Sequence, residues 1–353
     1  MLLLNLTLNE DRVLIKISPP RLLGGDIFIM SFDIKNDGCI FLWYGVKYEK
    51  RHGIACFMSF CEEDMKQNSN KREVQFAFLL ILSLTISSFA ALISPLVDSY
   101  YLKVFLVKGI YALSYLVSFW LWKRSYHVIG DGYAKHKYCE YKLPAFFVAF
   151  AAVVAFLQIN IVLLEMLSYS SDSSPMPSGF LGYVFSLIMF VILPAYTEEL
   201  FFRGVLLKIS GGGFRAALLS GIVFGLCHFN LSQYIYAVGS GIVFAFLYIY
   251  TDDFKLCVIL HTVINFTVMS LSYLSRTLSV GWYVFIECLV WLCILSLGVY
   301  YSYILLRDYG HKIAQKTEDI KNKKGDIGRG ALISKPMIVC YSVIALLTVL
   351  RFL

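Results

Sequence analysis

From Gln75 to its end, the chain alternates long apolar runs with short polar breaks. A membrane-spanning helix needs roughly 20 apolar residues. The spans predicted from the pattern are 75–97, 103–122, 143–167, 180–203, 214–230, 234–250, 255–274, 281–306 and 332–352. Helices satisfy their backbone hydrogen bonds internally, as the lipid interior requires. The sequence therefore predicts an all-α polytopic bundle of about eight or nine transmembrane helices.

Residues 1–64 have a different pattern. They are mixed and polar, with a Pro-Pro pair at 19–20 and a Gly-Gly pair at 24–25 as turn signals. Short β-like runs occur at 26–30 and 39–44, with no core of useful size. Met65 then precedes a basic lead into the first apolar run, a pattern typical of the start of a membrane protein. Two hypotheses remain open: an upstream extension outside the natural product, or a small, poorly ordered cytoplasmic head.

Composition supports the membrane class. Of the 353 residues 58% are hydrophobic and 16% charged, whereas a soluble protein carries about a quarter charged residues. The net charge of +7 is typical of basic cytoplasmic loops and does not indicate nucleic-acid binding. The nine cysteines form no C-x-x-C pair, so neither a zinc knuckle nor a disulfide framework is predicted.

Loop charges predict the orientation. Lysines and arginines are concentrated in 123–142 and 307–335, whereas 168–179 has none. Because basic loops face the cytoplasm, the pattern predicts a cytoplasmic N-terminus and a basic cytoplasmic loop at 307–335. The chain is divided accordingly into N-terminal transmembrane helices (65–175), a central core (176–275) and C-terminal helices (276–353).

The central core contains the motif Glu198-Glu199-Leu200-Phe201-Phe202-Arg203, in a stretch that is otherwise apolar. Charge within a membrane-length segment is costly and tends to be functional. Glu199 and Arg203 are four residues apart on one helix face, and we expect them to pair. Glu198 is turned about 100° from Glu199, which leaves its carboxylate free for chemistry. In the competing interpretation, all three are interfacial charges at a helix end.

Two further polar motifs follow along the chain. His228 ends an F-x-x-x-H motif that begins at Phe224, and Gly221 and Gly225 precede it. Small residues four apart let helices approach closely in lipid, so we expect His228 at a tight helix contact.

His261 and Asn265, also four apart, share one face of a later span. Singly, these polar residues could be hydrogen-bonded packing residues. Together with a carboxylate they suit hydrolysis, because carboxylates take protons from water, histidines orient it, and amides or imidazoles stabilise an oxyanion.

Three motifs in this order, E-E-x-x-x-R at 198–203, F-x-x-x-H at 224–228 and H-x-x-x-N at 261–265, resemble the CAAX protease and bacteriocin-processing family. That family includes the Ras-converting CAAX endopeptidases and bacterial relatives described as immunity proteins. The resemblance covers about 180–275 and implies a four-helix intramembrane peptidase core, here in the plasma membrane of a bacterium. It also implies a membrane-associated protein or peptide as substrate.

The resemblance implies a role for each matching residue. Glu198 would be the catalytic glutamate and, with His228, would activate the attacking water. His261 and Asn265 would stabilise the oxyanion. The residues that would hold the site in shape are Glu199, Arg203 and Phe224.

Whether a divalent metal such as zinc takes part remains open. Glu198, His228 and His261 offer a carboxylate and two imidazoles with one position left for water, as catalytic zinc sites do. The chain lacks H-E-x-x-H, so a zincin-type site is not predicted. A metal-free glutamate mechanism is also described for the family.

Two other functions compete with the peptidase. One is a non-proteolytic bacteriocin-immunity or membrane-scaffold protein that keeps the motifs without the activity. The other is a proton-coupled transporter, since intramembrane Glu and His also form proton relays; it predicts inverted repeats, which the sequence does not show. A serine hydrolase is disfavoured because no G-x-S-x-G occurs, and Gly239-Ser240-Gly241 is better explained as a close-packing site.

One geometric difficulty accompanies the peptidase interpretation. A helix that begins at Phe214 on the cytoplasmic face places His228 about 20 Å deep. The predicted end of the preceding span at 203 leaves Glu198 nearer the surface. We therefore expect either that the boundaries differ or that the helix starting at Phe214 is recessed.

Overall fold

A computed structural model describes residues 3–9, 12–18, 28–33, 39–43, 70–125, 140–167, 179–228, 230–321 and 338. Its contacts divide the chain into two units, 1–74 and 75–353.

The first unit contains a four-stranded antiparallel sheet in chain order. The strands are β1 (Leu3–Asn9), β2 (Arg12–Ser18), β3 (Phe28–Asp33) and β4 (Cys39–Trp43). The register sets Leu6 opposite Ile15. The β-like runs noted in the sequence at 26–30 and 39–44 overlap β3 and β4. That residues 1–64 are an extension stays a prediction.

The second unit is a helical membrane bundle, which confirms the all-α polytopic class. Six helices in the described part of the chain are long and apolar enough to cross a membrane. Helices α1 and α5 carry shorter apolar stretches, and the predicted span 332–352 lies outside the described residues apart from position 338. The helices are α1 (Asn70–Ile93), α2 (Tyr100–Ser125), α3 (Lys142–Met166), α4 (Gly179–Ile209), α5 (Phe214–Leu226), α6 (Tyr234–Thr251), α7 (Phe254–Thr277) and α8 (Val280–Lys321).

Helix α4 runs beyond its predicted end at 203. Arg203 is buried and paired, so its charge does not end the apolar segment, which continues to Ile209. The chain then turns at Gly211 and Gly212, whose φ angles of 91° and 66° favour glycine. Glu198 therefore lies eleven residues, or about 16 Å, from the end of α4.

The start of α5 packs against α6. The Phe214 ring packs against Phe246, which lies five residues before the end of α6, with centroids 5.2 Å apart. His228 lies fourteen residues, or about 20 Å, from the start of α5, and Glu198 lies about 16 Å from the end of α4, so the extension of α4 to Ile209 removes most of the difference in depth. The end predicted at 230 was too late, because α5 stops at Leu226.

Helices α5 and α6 pack almost backbone to backbone. A Cβ placed on Gly241 would lie 2.9 Å from the Gly221 Cα, and one on Gly225 would lie 2.9 Å from the Val238 nitrogen. These distances confirm the expected tight helix contact before His228 and the close-packing role of the Gly239-Ser240-Gly241 segment.

Several side-chain contacts connect the lysine-rich ends of four helices. Tyr141 donates from its hydroxyl to the Tyr250 carbonyl at 3.0 Å, and Lys142 pairs with Asp253 at 2.6 Å. Tyr250 and Thr317 share a hydroxyl hydrogen bond of 2.9 Å. This last contact belongs to a helix where the sequence predicted a loop from 307. Helix α8 continues to Lys321, and its last turns carry Thr317, which bonds Tyr250 of α6, and the buried Ile320.

Candidate active site

The two glutamates lie between two widened stretches of α4. Leu187–Ile192 and Phe202–Leu206 are π-helical, and such bulges are frequent at functional sites. Pro194 follows the first stretch, and its missing N–H cannot continue the α-helical hydrogen-bond ladder. The sequence therefore interrupts the regular helix on both sides of Glu198 and Glu199.

Glu199 and Arg203 form a fully buried ion pair. Arg203 Nη1 donates to Glu199 Oε1 at 3.0 Å, and both side chains are 0% exposed. Arg203 Nη2 donates to the Gly241 carbonyl at 2.9 Å, which connects α4 to α6. The guanidinium also lies 5.0 Å from the Phe224 ring centroid and 5.2 Å from that of Phe244. The pairing expected from the spacing is thus present, within an aromatic enclosure.

Within the described part of the chain, two buried polar atoms of this pair have no hydrogen-bond partner: Glu199 Oε2 and Arg203 Nε. Unsatisfied buried polar groups are costly, by roughly 1–3 kcal/mol each and more for charged groups. An arrangement that keeps them is typical of a site selected for chemistry more than for stability.

His261 connects the two glutamates. Its Nδ1 lies 2.8 Å from Glu199 Oε1, and because a carboxylate only accepts, the Nδ1–H donates. The Nε2 on the opposite side of the ring lies 3.8 Å from Glu198 Oε2. Phe244 stacks on the imidazole at a centroid distance of 5.0 Å. The ring orientation is therefore set by a hydrogen bond and by stacking.

Glu198 is the more accessible of the two carboxylates. Its side chain is 11% exposed, whereas that of Glu199 is 0% exposed. His228 interacts electrostatically with both Glu198 and His261, although it follows a different helix. Tyr115 and Tyr236 also interact electrostatically with Glu198. His228 thus lies within electrostatic range of Glu198 and His261, while the roles predicted for the three residues stay predictions.

His228 is anchored by its own helix. Its Nδ1 lies 2.8 Å from the Phe224 carbonyl, to which the Nδ1–H donates. In the neutral ring this tautomer leaves Nε2 as an acceptor. The Phe224 ring meets His228 edge-on at 4.8 Å and Phe202 at 4.9 Å, so Phe224 separates the histidine from the ion pair.

Asn265 lies one turn after His261 on α7 and is half-buried. The two residues share a helix face, as their spacing predicted.

The side chains do not form a metal-binding group in this arrangement. In the described part of the chain, no three His, Cys, Asp or Glu residues are placed to hold an ion. His261 and His228 each direct Nδ1 to a protein acceptor, and one carboxylate oxygen lies 3.8 Å from His261 Nε2. As placed, Glu198, His228 and His261 do not form such a group, although the Nδ1 bonds of both histidines leave each Nε2 available for a ligand.

Residues 180–267 match the family model described as Type II CAAX prenyl endopeptidase Rce1-like. The match supports the CAAX protease family for this segment. The match contains all three motifs, and the family implies a protease, that is, a hydrolase acting on membrane-embedded protein. No curated protein and no solved structure matches the chain significantly.

Two residues that sequence reasoning missed support the turn between α5 and α6. Tyr111 of α2 donates from its hydroxyl to the Cys227 carbonyl at 2.9 Å. Asn160 of α3 donates to the Ser232 carbonyl at 2.8 Å and accepts from the Tyr236 N–H at 3.3 Å. Asn160 could have been suspected as a buried amide in an apolar run. Nothing local to Tyr111 signals its contact with a residue 116 positions away.

Proposed function

We propose that this protein is an intramembrane endopeptidase that hydrolyses a peptide bond in a membrane-associated protein or peptide, with Glu198 as the general base. The observation that carries the proposal is the pair of glutamates on either side of His261. One is buried and neutralised by Arg203, and the other is partly exposed, 3.8 Å from the His261 Nε2.

In the proposed mechanism, Glu198 takes a proton from a water that attacks the substrate carbonyl. His228 helps to orient this water, because its free Nε2 accepts a hydrogen bond while Nδ1 stays on the Phe224 carbonyl. The proton on Glu198 then passes to the leaving amine, which balances the reaction.

His261 and Asn265 stabilise the oxyanion in this proposal. A second proton on His261 makes Nε2 a donor while Nδ1 keeps its bond to Glu199. Donors that are oriented in advance, away from water, stabilise a developing oxyanion strongly.

The proposed orientation places the lysine-rich helix ends in the cytoplasm. Lys208, Arg215 and Lys255 are exposed, and each lies near an end of α4, α5 or α7 at that side of the bundle. The N-terminus of α1 lies on the same side when the spans alternate.

The test is cleavage of a fluorogenic peptide by the purified full-length protein in lipid vesicles. The peptide carries a C-terminal Cys-aliphatic-aliphatic-X sequence and is used with and without a farnesyl group on the cysteine. We expect Glu198→Gln to lower turnover by about 10²–10⁴-fold, the usual contribution of a general base. Glu165→Gln, the same change at an exposed position near the end of α3, should stay within twofold. Retention of cleavage in Glu198→Gln would refute the proposal.

A further inference from the structure

Cys227, the C-cap residue of α5, has a carbonyl that is hydrogen-bonded by another helix. Carbonyls in the final turn of a helix have no partner within it. Cys227 is 1% exposed, so bulk water does not reach its main chain freely. The Tyr111 hydroxyl donates to this carbonyl at 2.9 Å.

This carbonyl belongs to the same planar unit as the His228 N–H. A peptide bond is rigid, so its carbonyl and its N–H keep opposite directions in one plane. The His228 N–H donates to the Gly225 carbonyl at 3.1 Å, while Tyr111 binds the other side of the plane. Because both the Cys227 carbonyl and the His228 N–H are hydrogen-bonded, the orientation of the peptide plane next to the His228 side chain is fixed.

The same tyrosine packs toward the glutamate helix. Its ring meets Tyr115 edge-on at a centroid distance of 5.1 Å, and Tyr115 stacks on Phe201 at 4.8 Å. Tyr115 is 2% exposed, and Phe201 lies two residues after Glu199 on α4. Tyr111 therefore contacts the peptide that carries His228 and, through one ring, the helix that carries both glutamates.

We propose that Tyr111 is a positioning residue whose hydroxyl holds the Cys227–His228 peptide so that the imidazole faces Glu198. Its kinetic consequence rests on the proposed peptidase function, but its geometric consequence does not. Tyr111 lies outside the segment 180–267 that matches the family, so α2 completes a site that the matched segment does not contain in full.

Tyr111→Phe tests the inference, because it removes only the hydroxyl. Tyr141→Phe is the matched control: it removes a tyrosine hydroxyl that donates at 3.0 Å to the Tyr250 carbonyl, near the end of α6 and away from His228. Both variants are made in the full chain, labelled with ¹⁵N-histidine and studied in detergent micelles. The His228 ring signals are assigned by their loss in His228→Gln.

We expect the His228 ring signals to shift or broaden in Tyr111→Phe and to stay unchanged in Tyr141→Phe, with a similar loss of thermal stability in both. Turnover of the reporter peptide should fall about tenfold in Tyr111→Phe at an unchanged KM, since small misplacements of catalytic groups lower rates strongly. Equal effects of the two variants on the His228 signals and on turnover would overturn the inference.

The two proposals fail separately. If the wild type does not cleave any peptide but the His228 signals respond to Tyr111→Phe, the positioning role stands and the peptidase proposal falls. If the wild type cleaves the peptide and Tyr111→Phe changes neither the His228 signals nor turnover, the peptidase proposal stands and the positioning role falls. Should Tyr111→Phe not fold, a ¹³C–¹³C correlation between Tyr Cζ and Cys C′ in the wild type tests the bond directly, and its absence would refute the contact.

Discussion

His261 Nδ1 lies 2.8 Å from Glu199 Oε1, and the same oxygen accepts from Arg203 Nη1 at 3.0 Å. One carboxylate oxygen thus orients the histidine of α7 and neutralises the arginine of its own helix. The second glutamate of the E-E motif is therefore a positioning residue in our interpretation, while Glu198 faces the reaction.

Glu199→Gln should lower turnover by about 10²-fold with little change in KM. The amide oxygen still accepts hydrogen bonds, but the charge that balances Arg203 is lost and His261 is no longer held by a carboxylate, so its placement relaxes. Turnover and KM of the reporter peptide measure this, with Glu165→Gln as the control. Wild-type turnover in Glu199→Gln would contradict the assignment.

Arg203→Met should destabilise the protein by about 3–5 kcal/mol, because it leaves a buried carboxylate unpaired. Arg203→Lys keeps the charge, yet an ammonium cannot reproduce the planar fork that reaches both Glu199 and the Gly241 carbonyl. We expect an intermediate loss for the lysine variant in thermal unfolding in micelles. Equal stability of the methionine variant and the wild type would show that the pair contributes nothing to the fold.

Gly221→Ala should separate α5 from α6. The added Cβ would lie 2.5 Å from the Ile242 nitrogen and 2.9 Å from its Cα, and backbone cannot move aside cheaply. Gly109→Ala on α2 is the matched control, since nothing lies within 4 Å of its added Cβ. We expect overpacking to cost about 1–3 kcal/mol at Gly221, and the control to gain roughly 0.5–1 kcal/mol from helix propensity. Thermal midpoints measure both, and equal shifts would argue against close packing.

Asp253 provides a pH-dependent contribution to stability. Partial burial opposes its ionisation, but the hydrogen bond from Lys142 and the N–H of Leu256 outweigh that effect and lower its pKa. A lowered folded-state pKa means that the stabilisation is complete above the unfolded value of about 3.9 and is lost as pH falls through the folded value. Because the Lys142–Asp253 ion pair is partly exposed, it contributes about 1 kcal/mol or less to the free energy of unfolding.

Asp253→Asn isolates this contribution, since asparagine caps a helix as well as aspartate does. The thermal midpoint of the variant should lie below that of the wild type at pH 6, and the gap should narrow at pH 3. A gap of the same size at both pH values would show that the charge of Asp253 is not its cause.

Much of the bundle could be predicted from the sequence, because length and hydropathy define membrane helices directly. Hydropathy gave the wrong boundary where a charge is compensated. The charge of Arg203 suggested the end of a span, but Glu199 neutralises it inside the protein and α4 continues to Ile209. Hydropathy also gave the wrong boundary at 307–321, where α8 continues as a helix and contacts α6.

The site was predictable to the extent that its groups are local in sequence. The spacing of Glu199 and Arg203 indicated their pairing, which the structure contains. The bond between His261 and Glu199 joins residues 62 apart, and that between Tyr111 and Cys227 joins residues 116 apart. Such contacts depend on how helices are arranged in the bundle, which periodicity along one helix does not report. The catalytic roles of Glu198, His228, His261 and Asn265 stay predictions.

The shortness of α5 has a consequence for how the protein is made. Thirteen residues rise about 20 Å, too little to cross a hydrocarbon core of about 30 Å. The turn that follows α5 contacts Asn160, which lies six residues before the end of α3. The main chain of this turn therefore lies deeper in the bundle than the end of α3, and Tyr111 and Asn160 donate hydrogen bonds to it. We therefore expect insertion to be ordered: α2 and α3 must enter the bilayer first, and the hairpin of α5 and α6 then folds against them as it leaves the translocation machinery.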